Sequence, residues 1–148
     1  MQVRDVLRVK GTVLYTTGSA SPLGDAVKTM VELDMGSLVV MDHGHVAGML
    51  TFREVFGALA RRGADWQNVP VGSVMMRSPI CGHPDMELDD LRRTMLDGRV
   101  RYLPVLDGDT LMGVLSFRDV AKAVLEEQTF ENRMLKSYIR DWPAPEQL

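Results

Sequence analysis

The chain has 148 residues, 45% hydrophobic and 25% charged, with a formal net charge of −3. That length fits one compact unit with a real core and leaves no room for a second, unrelated domain, and the composition is that of a folded chain, not a disordered or fibrous one. The slight acidic excess argues against nucleic acid as the main partner, the single cysteine, Cys81, cannot form an internal disulfide, and no apolar run approaches the roughly 20 residues that span a bilayer.

In chain order, the N-terminal MQVRDVLRVKG has no apolar signal segment, so a cytoplasmic location is expected. Thr12 to Tyr15 reads as a short strand. Ser21 is placed to cap a helix with Pro22 at its first position, and Leu23, Ala26, Val27 and Met30 form one apolar face that Gly36 closes. Ser37 to Met41 and His45 to Leu50 read as two strands joined by the Asp42-His43-Gly44 turn. Phe52 to Arg62 then repeats apolar residues at helical spacing, with Gly63 just past its end. Residues 63–72, rich in Gly, Asp, Asn and Pro, form a connection.

The same order recurs. Arg77 to Ile80 supplies a short strand, Met86 to Asp97 a helix ended by Gly98, Leu103 to Leu106 and Thr110 to Leu115 two strands, and a last helix begins near Phe117. Shifting the chain by 65 residues aligns Leu23 to Ala58 with Leu88 to Ala123 without a gap, with identities that include Asp25/Asp90, Met30/Met95, Val40/Val105, Gly48/Gly113, Phe52/Phe117 and Arg53/Arg118. The C-terminal stretch from Phe130 to Trp142 sets Phe130, Met134, Tyr138 and Trp142 four apart with Leu135 and Ile139 alongside, an apolar helix face expected to pack on the protein's own body or on a second copy. Pro143 and Pro145 end it.

The densest agreement lies at the strand-to-helix junctions, GMLTFRE (48–54) and GVLSFRD (113–119). With RYLPVLD (101–107) and GSLVVMD (36–42), these junctions resemble the CBS (cystathionine beta-synthase) domain family, and the resemblance runs from about Val3 to Glu127. It implies an α+β fold of two tandem β-α-β-β-α repeats related by a pseudo-two-fold axis, with a C-terminal helix: repeat 1 over residues 1–63, connection and repeat 2 over 64–127, and a helix and tail over 128–148. It also implies an adenosine nucleotide as ligand (AMP, ADP, ATP or NAD(H)), no required cofactor, a homodimer, and a regulatory rather than catalytic role. The rival reading is a ligand-free adaptor acting only through protein association, with an unknown protein target.

In such pairs the acid of the junction motif holds the ribose and the hydroxyl residue contacts ribose or phosphate, near a helix N-terminus that favours an anion. Ser116, Arg118 and Asp119 carry that pattern in full, and the resemblance adds Val13, Leu14, Met35, Gly36 and Ser37 as the opposite wall. The second site would comprise Thr51, Arg53, Glu54, Ser78, Pro79, Val100, Arg101 and Tyr102. Thr51 with Glu54 equally fits a capping box, in which two side chains satisfy helix-end N–H groups, whereas the shorter Asp119 is expected to reach Ser116 less well. The Asp119 site is therefore expected to be the stronger. Arg92 and Arg93 read as a solvated helix face, His43, His45 and His83 as loop residues without a third metal ligand, and Cys81 as a thiol without a base. No Walker loop, Rossmann fingerprint, zincin helix or nucleophile elbow is present, so neither catalytic nor metal residues are assigned.

Overall fold

The computed structural model describes residues 1–11 and 13–140. Its elements are α1 (Val3–Lys10), β1 (Thr16–Thr17), α2 (Leu23–Glu32), β2 (Ser37–Asp42), β3 (His45–Thr51), α3 (Phe52–Arg62), β4 (Met76–Arg77), α4 (Leu88–Gly98), β5 (Tyr102–Asp107), β6 (Thr110–Ser116) and α5 (Phe117–Arg140). Two 3-10 turns, Gly63–Asn68 and Val71–Ser73, fill the connection.

The repeat is preserved to the level of strand register. In the first copy β2 and β3 pair antiparallel with Val40 opposite Gly48 and a bulge between Val40 and Met41. In the second, β5 and β6 pair with Val105 opposite Gly113 and a bulge between Val105 and Leu106. The parallel β1 contact of Thr17 with Val40 has its counterpart in the bridge from Gly82 to Val105. The first hairpin turns on His43 and Gly44, with φ of 52° and 78°, the pair of positive values that matches strand twist in a two-residue loop.

The ends of α2 and α4 differ from the sequence reading by a residue or more. Pro22, not Ser21, is the cap of α2, because the carbonyl of Val69 in the connection takes the Leu23 N–H at 2.8 Å and no capping side chain is needed. Glycine does not supply the left-handed residue after α2 or α4: Asp34 (φ 52°) and Arg99 (φ 53°), again 65 apart, do so. The expected strand at 12–15 is found instead as β1, two residues at Thr16–Thr17, and the one at 77–80 as β4, Met76–Arg77. Thr12 lies outside the described residues.

Each copy has its own core, completed by a segment from outside the copy: the connection that follows it for the first, and α1 for the second. Leu23, Met30, Leu38, Val40 and Leu50 form the first with Val69 and Val71 from the connection. Leu88, Leu91, Met95, Leu103 and Leu115 form the second with Val3 and Val6 of α1. Chain order and packing therefore disagree at the N-terminus: α1 lies within the span assigned to repeat 1, yet it is buried against repeat 2. Full burial of each Leu or Val contributes about 1.5–3 kcal/mol, so α1 carries a substantial share of the second core. No helix was read from residues 3–10, although Val3, Val6 and Leu7 have helical spacing.

The last helix and the expected C-terminal helix are one continuous element. Ala123 is the last residue α5 buries in the core, and Phe130, Met134, Leu135, Tyr138 and Ile139 are 57–63% exposed, so of the two places expected for this stripe, the protein's own body is not the one it takes. The reason is geometric: the body ends near Glu127, which meets the N-terminal ammonium at 3.3 Å, and the helix runs past it. Trp142, Pro143 and Pro145 lie outside the described residues.

Candidate functional site

Two strand-to-helix junctions were expected to hold ligands, and the structure builds them differently. At the first, β3 ends on Thr51, whose hydroxyl accepts from the Arg53 N–H at 3.2 Å, while Glu54 Oε1 accepts from the Thr51 N–H at 3.0 Å and from its hydroxyl at 2.9 Å. Glu54 thus closes a capping box. The first N–H groups of α3, otherwise open to an anion, are largely spent on this box.

Beside this junction lies a cavity of about 540 Å³, within the roughly 300–1,000 Å³ of small-molecule sites. Thr51, Phe52, Arg53 and Phe56 form its wall from the first copy; Gly98, Arg99, Val100, Arg101 and Tyr102 form the opposite wall from the second; Met49 and Met76 also line it. Five residues assigned to this site from sequence are therefore brought together: Thr51, Arg53, Val100, Arg101 and Tyr102. Glu54 faces its own box, and Ser78 (φ 50°) and Pro79 follow β4 without lining the cavity.

Three features give the cavity its chemistry. Phe52 and Phe56 stack with ring centroids 6.4 Å apart, and the Tyr102 ring stands on the facing wall, so flat aromatic surface is available to a base. Gly36, which the resemblance sets in the wall opposite Asp119, instead makes room for Tyr102: a Cβ there would overlap the Tyr102 hydroxyl and stand 3.0 Å from Phe52 Cε2. Arg53, Arg99 and Arg101 line the cavity, and no carboxylate does. Phe52, Phe56 and Arg99 were not assigned from sequence. Phe52 repeats as Phe117 and Arg99 stands in an arginine cluster, so both carried a signal, whereas Phe56 reads as an ordinary apolar helix position.

At the second junction the protein's own side chains engage the acid. Ser116 and Asp119 do form a reciprocal capping box, contrary to the sequence expectation: the Ser116 N–H donates to Asp119 Oδ2 at 2.8 Å and the Asp119 N–H to Ser116 Oγ at 3.0 Å. The aspartate needs no longer reach because the serine hydroxyl draws the turn closed from the other side. Lys10, at the end of α1, then donates from Nζ to Asp119 Oδ2 and to the Val114 carbonyl, both at 2.7 Å. Leu7 approaches Gly113 closely enough that a Cβ there would lie 2.8 Å from Leu7 Cδ2. In the first copy the equivalent edge of β3 is paired with β4 instead.

The other residues expected around Asp119 are dispersed. Arg118 lines a shallow hollow along the outer face of α5 with Lys122, Leu125 and Arg133. Ser37 is buried and pairs with Thr51 in the hairpin, Met35 is half-buried, Gly36 faces Tyr102, and Val13 and Leu14 are exposed before β1.

Burial acts to raise the Asp119 carboxyl, but hydrogen bonds from Lys10 and Ser116 and the lysine charge outweigh it and hold the group below the ordinary aspartate value. A depressed carboxyl contributes stability that is present above its unfolded value, near 3.9, and is lost as pH falls through the folded one. Replacing Lys10 with Met should therefore cost stability at pH 7, by about 1 kcal/mol or less for so accessible a pair, and the cost should shrink as pH falls below about 4. Urea unfolding at a series of pH values measures it; a cost independent of pH would mean the contact does not form.

Elsewhere little chemistry is exposed. The Cys81 thiol is half-buried, donates to the Pro79 carbonyl at 3.2 Å and is pushed up by burial. Among the described residues no group of three His, Cys, Asp or Glu could hold a metal, and no helix is long and apolar enough to cross a membrane. Arg92 and Arg93 both reach Asp89, at 2.7 and 3.0 Å.

Comparison with known proteins places this arrangement. The CBS domain profile matches residues 3–61 and again 71–126. Over 116 residues the chain is 31% identical to the CBS domain-containing protein YhcV of Bacillus subtilis, covering 76% of this chain and 82% of that one. A crystal structure of a CBS-domain protein from Agrobacterium tumefaciens superposes with a TM-score of 0.79 at 32% identity, over 83% of this chain and 98% of the other. The structure of CBSX2, determined in complex with AMP, matches with a TM-score of 0.68 at 25% identity, over 78% of this chain and 90% of that one.

Proposed function

The chain belongs to the CBS domain family, and on that footing we propose that it is a cytoplasmic regulatory module, not an enzyme, which binds an adenosine nucleotide in the cavity between Thr51–Phe56 and Gly98–Tyr102. The observation that carries the reading is the cavity itself: it is walled by both repeats, offers aromatic faces beside arginines, and lies at a junction motif of a family in which CBSX2 was solved with AMP. AMP, ADP, ATP and NAD(H) share the adenosine that such a site would receive. A ligand gripping both repeats prefers one relative arrangement of them, which is what signalling requires, since equal affinity for two states shifts neither.

Within this proposal the Ser116–Asp119 junction is secondary, because Lys10 and Ser116 already engage the carboxylate that would hold a ribose. Nucleotide should raise the melting temperature, the stabilisation reaching about 2.7 kcal/mol at 100 times the dissociation constant. Asp119→Ala should lower the baseline by about 1 kcal/mol through loss of its cap and leave the nucleotide affinity within about twofold (about 0.4 kcal/mol). A panel of AMP, ADP, ATP and NAD(H) giving no shift at millimolar concentration rejects the proposal.

We also propose a homodimer. The apolar side chains that α3 and α5 leave exposed, Phe56, Leu125, Phe130 and Met134, support association. The same stripe on α5 favours the second reading, an adaptor that works through association with another protein, which the panel result separates from nucleotide sensing.

A further inference from the structure

Arg53, Arg99 and Arg101 reach the cavity from three different backbone settings. Arg53 stands in the first turn of α3, Arg99 is held in the left-handed conformation that ends α4, and Arg101 precedes β5, its carbonyl fixed by the Phe117 N–H at 2.8 Å. Among the described residues none of the three takes part in an ion pair, although Arg92 and Arg93 nearby on α4 are both paired to Asp89. The lining holds no acidic side chain to balance them. All three are exposed at the rim of one cavity, where an anion that shares them would gain paired N–H donors from each.

The number of positive groups bears on the anion. A terminal phosphate carries about −1.5 to −2 at pH 7, which one or two arginines satisfy with paired N–H donors. A third is matched only when a second phosphate extends the charge. The start of α3 cannot serve in its place, since the Thr51 and Arg53 N–H groups are already taken by the capping box.

We propose that the cavity selects adenosine ligands bearing a pyrophosphate or longer chain over AMP and over uncharged or cationic adenosine derivatives. Arg53, Arg99 and Arg101 are its specificity-determining residues, with the base on the side of Phe52 and Tyr102. This rests on the nucleotide-site reading above, and it adds which nucleotides the site prefers.

Titration calorimetry of the full chain with ADP, ATP, AMP, adenosine and S-adenosylmethionine tests it. ADP and ATP are expected to bind at least about tenfold more tightly than AMP, and inorganic tripolyphosphate to compete with ADP. Arg99→Asn, which keeps a residue tolerant of the left-handed backbone, combined with Arg101→Ala should bring the ADP-to-AMP ratio close to one, while Arg133→Ala, on the projecting part of α5, should leave it unchanged. Circular dichroism confirms that the variants fold. AMP, adenosine or S-adenosylmethionine binding as tightly as ADP would overturn the selectivity and leave the nucleotide site standing. Failure of every adenosine ligand to bind would remove both.

Discussion

Replacing Gly36 with valine is expected to weaken nucleotide binding at least tenfold, about 1.4 kcal/mol, with the far-ultraviolet circular dichroism unchanged. Gly36 sits just before β2 and has no side chain where Tyr102 packs; a Cβ there would overlap the tyrosine hydroxyl and crowd Phe52. The hydroxyl is the far end of a half-buried side chain, so the ring can swing aside at modest cost to the fold. It is also a wall of the cavity, and any new position changes the surface a base would meet. Calorimetric affinity for ADP in parent and variant measures the effect; equal affinity would show that Tyr102 is not part of the binding wall.

A second large effect concerns α1. Val3→Asp should destabilise the protein by more than about 3 kcal/mol, because it places an unpaired carboxylate in the closed core formed with Leu88, Leu91 and Leu115. An aspartate in the first turn of a helix gains about 0.3–1 kcal/mol from the dipole, too little to offset that burial. Val9→Asp, on the same helix but 88% exposed, should stay within about 0.5 kcal/mol of the parent. Urea unfolding of both variants decides the matter. Equal, small effects would mean that α1 does not complete the second core.

The two helices and hairpin of each repeat were legible because their signals are local and doubled. Phe52 to Arg62 was read with its observed bounds, and the two hairpins lie within a residue of expectation. The misses are of a different kind. The glycines Gly36 and Gly98 drew the expected helix ends to themselves, whereas Asp34 and Arg99 are the residues that turn left-handed. The capping of α2 by the Val69 carbonyl depends on a segment 46 positions away in the chain.

Site legibility followed the same divide. The pattern of Ser116, Arg118 and Asp119 is complete in sequence, but the ammonium that meets its acid comes from Lys10, in a helix that sequence did not reveal. Arg101 and Tyr102 were assigned by resemblance to one site with Arg53, and the cavity holds them opposite it. Gly36 was assigned to the wall opposite Asp119, but the space its missing side chain leaves is taken by Tyr102, across the chain from it.

A crystal structure of the protein grown with saturating ADP tests the central claim most directly. The account predicts the nucleotide between Phe52 and Tyr102, its phosphates on Arg53, Arg99 and Arg101, with Lys10 still bonded to Asp119. Nucleotide seated instead on Ser116 and Asp119, with Lys10 displaced and the first cavity free of it, would contradict the account.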